Sequence, residues 1–193
     1  IRRLRAALER FETPAVVRGV AARKLTYLDR SALCWLAEQV TTVEREGVPG
    51  NMLETGCALG GSAIVIAASK APARRLELYD VFGQIPPPSA RDGKDVHARY
   101  QAILSGKSAG IAGDTYYGYQ SNLLEKVASH FRDFGLVPEA NNVHFVAGTY
   151  QNPLPPSGTV ALAHIDCDWY DSVMVCPERI VPRLADSGRI IVA

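Results

Sequence analysis

The residues best placed to do chemistry are His164-Ile165-Asp166-Cys167-Asp168-Trp169-Tyr170-Asp171, which follow the apolar run Val160-Ala161-Leu162-Ala163. The run reads as a buried strand that stops at Asp166, so Asp166 and Asp168 emerge together at its carboxyl end. Two carboxylates on one turn can divide labour. One can hold a hard divalent cation such as Mg²⁺, which takes oxygen ligands and keeps several waters. The other can act as general base toward a hydroxyl that the metal positions and acidifies. The same residues also read as a solvated acidic turn at a helix start, where acids are favoured electrostatically. Asp171, nearest the following helix, suits that description best.

A second constellation is Leu53-Glu54-Thr55-Gly56-Cys57-Ala58-Leu59-Gly60-Gly61-Ser62, followed by an apolar stretch from Ala63 to Ala68. It predicts a strand ending at Glu54, a tight turn on Gly56 and a helix starting near Gly60. Such a turn needs unusual backbone dihedrals, and the new helix end offers unpaired N–H groups and a partial positive charge. Asp80 ends the next predicted strand about 20 residues on, where a carboxylate accepts from ribose hydroxyls. Dinucleotide sites prefer G-x-G-x-x-G, which brings backbone close to a pyrophosphate. Here the spacing is G-x-x-x-G-G and an acid precedes it. That acid repels a diphosphate and suits the cationic amino group of S-adenosylmethionine. Glu54, Gly56, Cys57, Ser62 and Asp80 are therefore the candidate cofactor residues. Ser62 either donates to the cofactor carboxylate or caps the helix, and a purely structural strand-to-helix turn is the plain alternative.

These groups need elements to hold them. Strands are predicted at Asn51–Glu54, Arg75–Asp80, Val143–Ala147, Thr159–Asp166 and from Arg189 onward. Helices are predicted over 29–46, 60–69, 121–134 and about 172–184, the last limited by Pro177 and Pro182. Strand–helix alternation of this kind means an α/β fold, a parallel sheet with helices on both faces. An amphipathic helix over residues 1–12 carries Leu4, Ala7, Leu8 and Phe11 at helical spacing. Residues 1–48 are read as an amino-terminal helical segment serving as lid or oligomer contact, and 49–193 as the cofactor-binding domain.

Residues 81–120 break the rhythm with Pro86-Pro87-Pro88, Asp92-Gly93 and Tyr116-Tyr117-Gly118-Tyr119. The segment is expected to be a long irregular insertion, and it leaves the carboxyl end of the second strand, where open α/β sheets bind ligands. It is read as a lid or substrate-binding segment. Trp169 and Tyr170 either wall the pocket or fill the core. His164 and His144 are expected to be buried in strands and His130 to lie on the surface; His97, in the insertion, is read as a surface residue, with a place facing substrate as the alternative.

Composition bounds the partners. The chain has 193 residues, 47% hydrophobic and 21% charged, with formal net charge +1. It has no electrostatic footprint for nucleic acid, no apolar run long enough for a membrane span and no signal-peptide pattern, although Ile1 leaves room for an upstream segment. Four cysteines without zinc-knuckle spacing are expected to be reduced thiols in a cytoplasmic protein. There is no P-loop and no nucleophile elbow.

Taken together, Glu54–Ser62, Asp80-Val81-Phe82, Gly148-Thr149-Tyr150 with Pro153-Leu154-Pro155, and Ile165–Ser172 resemble the macrocin/mycinamicin-type O-methyltransferase family, which includes the novobiocin sugar enzyme. The resemblance covers most of residues 25–193 and implies a Rossmann-like class I methyltransferase fold. It further implies S-adenosylmethionine, Mg²⁺ and a hydroxylated small-molecule acceptor, a sugar or other natural product. By the family's pattern Asp166 is a metal ligand and Asp168 the general base. Leu25-Thr26-Tyr27 resembles a segment that approaches the cofactor, which adds Thr26 and Tyr27. The family carries an acidic pair just past the fifth strand, and the chain is expected to stop short of it and of the last strands at Ala193. Tyr116–Tyr119 does not map onto the sugar enzymes. Two rival readings stand beside this one: an NAD-dependent Rossmann oxidoreductase, and a non-catalytic or truncated cofactor-binding module.

Overall fold

The computed structural model describes residues 13–150, 154 and 156–193. The helix read over residues 1–12 lies outside them. Five strands, β1 (Asn51–Thr55), β2 (Leu76–Asp80), β3 (Val143–Ala147), β4 (Val160–Ile165) and β5 (Leu184–Val192), form one sheet in the order β3-β2-β1-β4-β5. Every pairing is parallel. The helices are α1 (Ala15–Ala22), α2 (Arg30–Arg45), α3 (Gly61–Ser69), α4 (Lys94–Leu104), α5 (Leu123–Asp133) and α6 (Tyr170–Ile180).

Strand alternation sends side chains to two cores. Met52, Leu76, Leu78 and Leu162 join the cluster packed by α1, α2, α3 and α5, whereas Leu53, Tyr79, Ala163 and Ile165 join Cys176 and Ile180 of α6. Because the chain leaves β1 toward β2 and later returns to β4 on its other side, the order reverses between β1 and β4. A crevice opens at the carboxyl ends of the strands at such a switch point. Both candidate motifs of the sequence end there: Glu54 pairs with His164, and Thr55 with Ile165.

α2 forms as its pattern predicts. The Asp29 carboxylate accepts from the Ala32 N–H at 2.8 Å, capping the first turn, and Leu33, Leu36, Ala37, Val40 and Val43 are buried. Several elements differ from the sequence reading. α1 lies within the helical segment read over 1–48 but between its two predicted helices; its Val17 and Val20 are buried in the same core as the sheet, and Gly19 lets Phe134 approach. The insertion is not wholly irregular: it holds α4, whose apolar pattern is faint because only Ile103 is buried. β5 starts at Leu184, earlier than Arg189. Asp186-Ser187-Gly188 reads as a turn, yet it runs through a register shift opposite Val160 and Leu162, with the Gly188 backbone close to the Val160 carbonyl. α6 spans Tyr170–Ile180 and tightens into a 3₁₀ turn at Val181–Arg183, where Pro182 blocks further α-helix.

Candidate active site

The β1–α3 turn is tied by backbone to β2 on one side and to the β4–α6 turn on the other. Gly56 N–H donates to the Tyr79 carbonyl at 2.9 Å, and Asp166 N–H donates to the Thr55 carbonyl at 2.9 Å. Gly56 has φ +86°, and a Cβ there would sit 2.1 Å from the Asp166 carbonyl oxygen. Its glycine character is thus required by the neighbouring strand end, in addition to the tight turn that the sequence predicts. Gly60, at φ +86°, caps α3, and a Cβ on it would meet Val127 of α5 at 2.8 Å.

Asp80 carries out a structural task before any ligand arrives. One carboxylate oxygen accepts from Cys57 N–H and the other from Phe82 N–H, both at 2.8 Å, and the residue is buried yet faces the cavity. Burial pushes its carboxyl up, and the backbone N–H groups pull it back down. Each oxygen retains acceptor capacity toward a third donor.

Glu54 lies beneath the cavity wall and does not line it. Its Oε1 meets His164 Nδ1 at 2.7 Å, both side chains being buried, and its Oε2 has no partner among the described residues. Burial alone would lower the His164 pKa, but the hydrogen bond and charge of Glu54 outweigh it and raise it. His164 is therefore a buried strand histidine, as read, with an ionic partner that the sequence did not disclose.

Asp166 and Asp168 both reach the cavity. Asp166 is pushed up to about 6, first by burial and then by the charge of Glu54. Asp168 is also raised by burial, against the pull of Arg99 on α4. No cluster of three or more His, Cys, Asp or Glu side chains suited to a metal occurs among the described residues. Mg²⁺ needs only one or two carboxylates beside waters, so Asp166 and Asp168 fit as part of a donor set.

Of the remaining predicted residues, Tyr27 lines the cavity and is 58% exposed. Thr26 does not line it and instead accepts from Leu28 N–H at 3.1 Å. Cys57 and Ser62 are buried outside it, with Cys57 contributing only its N–H to Asp80.

The insertion closes one side. Trp169 Nε1–H donates to the Pro86 carbonyl at 2.7 Å, Tyr170 N–H donates to Asp92 at 2.8 Å, and Arg91 pairs with Asp171 while lying over the Tyr170 ring. Trp169 walls the pocket; Tyr170 is half-exposed. A second recess between α4 and the Tyr116–Tyr117 pair shares Asp168 and is lined by Arg99. The sequence carried no signal for Arg99. Tyr150, just past β3, also lines the main cavity. His130 was read as a surface residue but is half-buried, its Nδ1 2.9 Å from the Leu59 carbonyl, because α5 packs over the glycine turn. His144 is only partly buried, since β3 is an edge strand.

The lining of the cavity is acidic. Asp80, Asp92, Asp166, Asp168 and Asp171 line it, and no lysine or arginine does among the described residues, while Arg91 behind Asp171 and Arg99 beside Asp168 offset part of the charge. Such a surface attracts cations and disfavours a pyrophosphate.

A profile of the macrocin O-methyltransferase (TylF) family matches residues 19–193. The chain is 32% identical over 159 residues to an 8-demethyl-8-(2,3-dimethoxy-alpha-L-rhamnosyl)-tetracenomycin-C 4'-O-methyltransferase of Streptomyces olivaceus, covering 79% of this chain and 56% of that protein. It is 28% identical over 161 residues to a demethyldecarbamoylnovobiocin O-methyltransferase of Streptomyces niveus, covering 79% and 55% respectively. The chain thus spans little more than half the length of these curated relatives. The solved structure of the O-methyltransferase NovP shares the fold at TM-score 0.70 and 23% identity, over 87% of this chain and 66% of that one.

Proposed function

The chain belongs to the macrocin O-methyltransferase family, and we propose on that footing that it transfers a methyl group from S-adenosylmethionine to a hydroxyl of a small, hydroxylated natural product such as a sugar. The observation that carries this reading over a dinucleotide-dependent one is the cavity lining, with five aspartates and no basic side chain among the described residues. A sulfonium and an ammonium suit such a lining; a diphosphate does not.

S-adenosylmethionine supplies an electrophilic methyl group on a positively charged sulfur. Asp80 receives the ribose hydroxyls while keeping the Cys57 and Phe82 N–H groups, so the strand end stays fixed as ligand binds. Tyr27 stands over the cavity from the amino-terminal side. Asp168 accepts the proton of the acceptor hydroxyl, and its burial raises its basicity toward that task. Asp166, with Asp168 beside it, is the residue that would hold Mg²⁺, which lowers the pKa of a bound hydroxyl. Residues 81–120 cover the acceptor and exclude water, held to the site by Trp169 and Tyr170. Much of the rate then comes from positioning, because the donor is already reactive.

Calorimetry and a methyl-transfer assay test the reading together. S-adenosylhomocysteine should bind and NAD should not. Asp168→Asn should retain cofactor affinity within about threefold while transfer falls by about 10²–10⁴. Binding of NAD, or undiminished turnover in Asp168→Asn, would sink the proposal.

A further inference from the structure

Two thiols beside the aspartates have no part in methyl transfer. Cys167 stands between Asp166 and Asp168 in the β4–α6 turn, half-buried, and lines the cavity. Cys176 lies on α6, fully buried against Leu53, Val160 and Ile180. Their Sγ atoms are 3.9 Å apart, and Cys176 Sγ donates to Thr55 Oγ1 at 3.5 Å. A disulfide requires about 2.05 Å between sulfurs. Closing the gap therefore takes a shift of about 1.9 Å from the observed separation. That movement falls on the turn, because residues 166–169 belong to neither helix nor strand, whereas Cys176 is fixed in α6 and the core. The arrangement also divides the two thiols by access. An outside reagent meets Cys167 through the cavity, and Cys176 waits behind it.

We propose that Cys167 and Cys176 form a reversible modification site, a dithiol that low-molecular-weight disulfides oxidise to an internal bridge. The thiolate of Cys167 attacks the reagent disulfide, forming a mixed disulfide and releasing one reagent thiol. The thiolate of Cys176 then attacks the Cys167 sulfur, releasing the second reagent thiol and leaving Cys167–Cys176 bonded. Two protein thiols lose their hydrogens, and one reagent disulfide is reduced to two thiols. The bridge pulls the turn toward α6, and the turn carries Asp166 and Asp168 on either side of the reacting cysteine. A displacement on the scale of an ångström costs about a hundredfold in a positioned reaction. Oxidation should therefore silence methyl transfer, a consequence that rests on the function proposed above; the bridge itself does not.

The test uses the full chain and cystamine, a small disulfide with two ammonium groups that the acidic cavity admits. After oxidation, two of the four cysteines should resist alkylation, the intact mass should fall by two hydrogens, and no cysteamine should remain attached. Chymotryptic cleavage after Trp169 or Tyr170 separates the two cysteines, so their peptides should stay joined until dithiothreitol is added. Cys176→Ala should stop at a cysteamine adduct on Cys167, and Cys167→Ala should give neither adduct nor bridge at this site. Cys34, on α2 and packed against the other core cluster, is the internal comparison. The proposal is overturned if Cys34 reacts while Cys167 and Cys176 stay alkylatable, if wild type retains the mixed disulfide, or if the bridge joins other cysteines. In the activity arm, transfer should fall about a hundredfold on oxidation and return on reduction. A bridged protein that still turns over within twofold of the reduced one overturns the switching role. Absence of transfer in the reduced protein counts against the methyltransferase reading alone, since the mass map still decides the bridge.

Discussion

Gly56→Ala probes the joint on which the whole site depends. Gly56 sits at φ +86°, and an added Cβ would lie 2.1 Å from the Asp166 carbonyl oxygen and 2.8 Å from its carbon. Two costs arise. Placing alanine in a left-handed conformation costs about 1–2 kcal/mol. Relieving the contact to an ordinary 3.4 Å means moving backbone by about 1.3 Å, and overpacking of this kind costs about 1–3 kcal/mol. The obstacle is a strand end whose own N–H is bonded to the Thr55 carbonyl at 2.9 Å, so it yields poorly. The expected loss is about 2–5 kcal/mol in urea denaturation, a large share of the stability of a single domain. Gly47→Ala separates the terms. Gly47 also has positive φ, at +65°, but nothing lies within 4 Å of its Cβ position, so only the conformational cost of about 1–2 kcal/mol applies. Because Asp166 is what the new methyl displaces, Gly56→Ala should also weaken S-adenosylhomocysteine binding in calorimetry, and Gly47→Ala should not. If the two variants lose the same stability, the claim that β1 and β4 meet too closely for any side chain at 56 is refuted.

Three further outcomes can be checked independently. Arg74 binds both Glu44 oxygens, at 2.7 and 3.0 Å, and also donates to the Val48 and Gly50 carbonyls, with the pair side chains only 15% and 20% exposed. Arg74→Met should cost about 2–4 kcal/mol by leaving two carbonyls unpaired and Glu44 with only the Ala71 N–H as donor, and a double-mutant cycle with Glu44→Gln should show strong coupling; additive losses would refute the shared network. Lys70 is held at about 8 by burial, against about 10.4 in a free chain. The folded chain thus binds fewer protons than the unfolded one between those values, so the stability of wild type relative to Lys70→Met should rise from about pH 8 to about pH 10, and parallel pH–stability profiles would count against it. Trp169→Phe keeps the wall of the cavity but removes the donor to the Pro86 carbonyl at 2.7 Å. It should speed hydrogen exchange in residues 81–93 by about five- to tenfold, the equivalent of about 1 kcal/mol, and unchanged exchange would show that the bond does not hold the insertion.

Apolar runs and glycine punctuation made the sheet legible, most plainly at β4, because a parallel strand buried on both faces is a plain stretch of apolar residues. β1, β2 and β4 were placed to within a residue or so, and β3, a half-buried edge strand, matched its reading at both ends. β5 was placed late because its first half carries Asp186, Ser187 and Gly188, residues of turn type that a register shift tolerates within a strand. α4 was missed for the opposite reason: it packs so lightly, burying only Ile103, that periodicity had little to record. The same division runs through the site. Gly56, Asp80, Asp166 and Asp168 announce themselves by spacing from strand ends, and the cavity gathers all four. Glu54 ends its strand near the place read for it, and its Oε1 meets His164. Whether a strand-end acid points into the crevice or across the sheet depends on the register with β4, which sets Glu54 opposite His164, and no local pattern encodes a pairing between residues 110 positions apart. Arg99 reaches the site from α4, whose position follows from tertiary packing alone, whereas Tyr150 lies just past the carboxyl end of β3. What a single sequence hides here is register and loop closure, the two quantities fixed by contacts far apart in the chain.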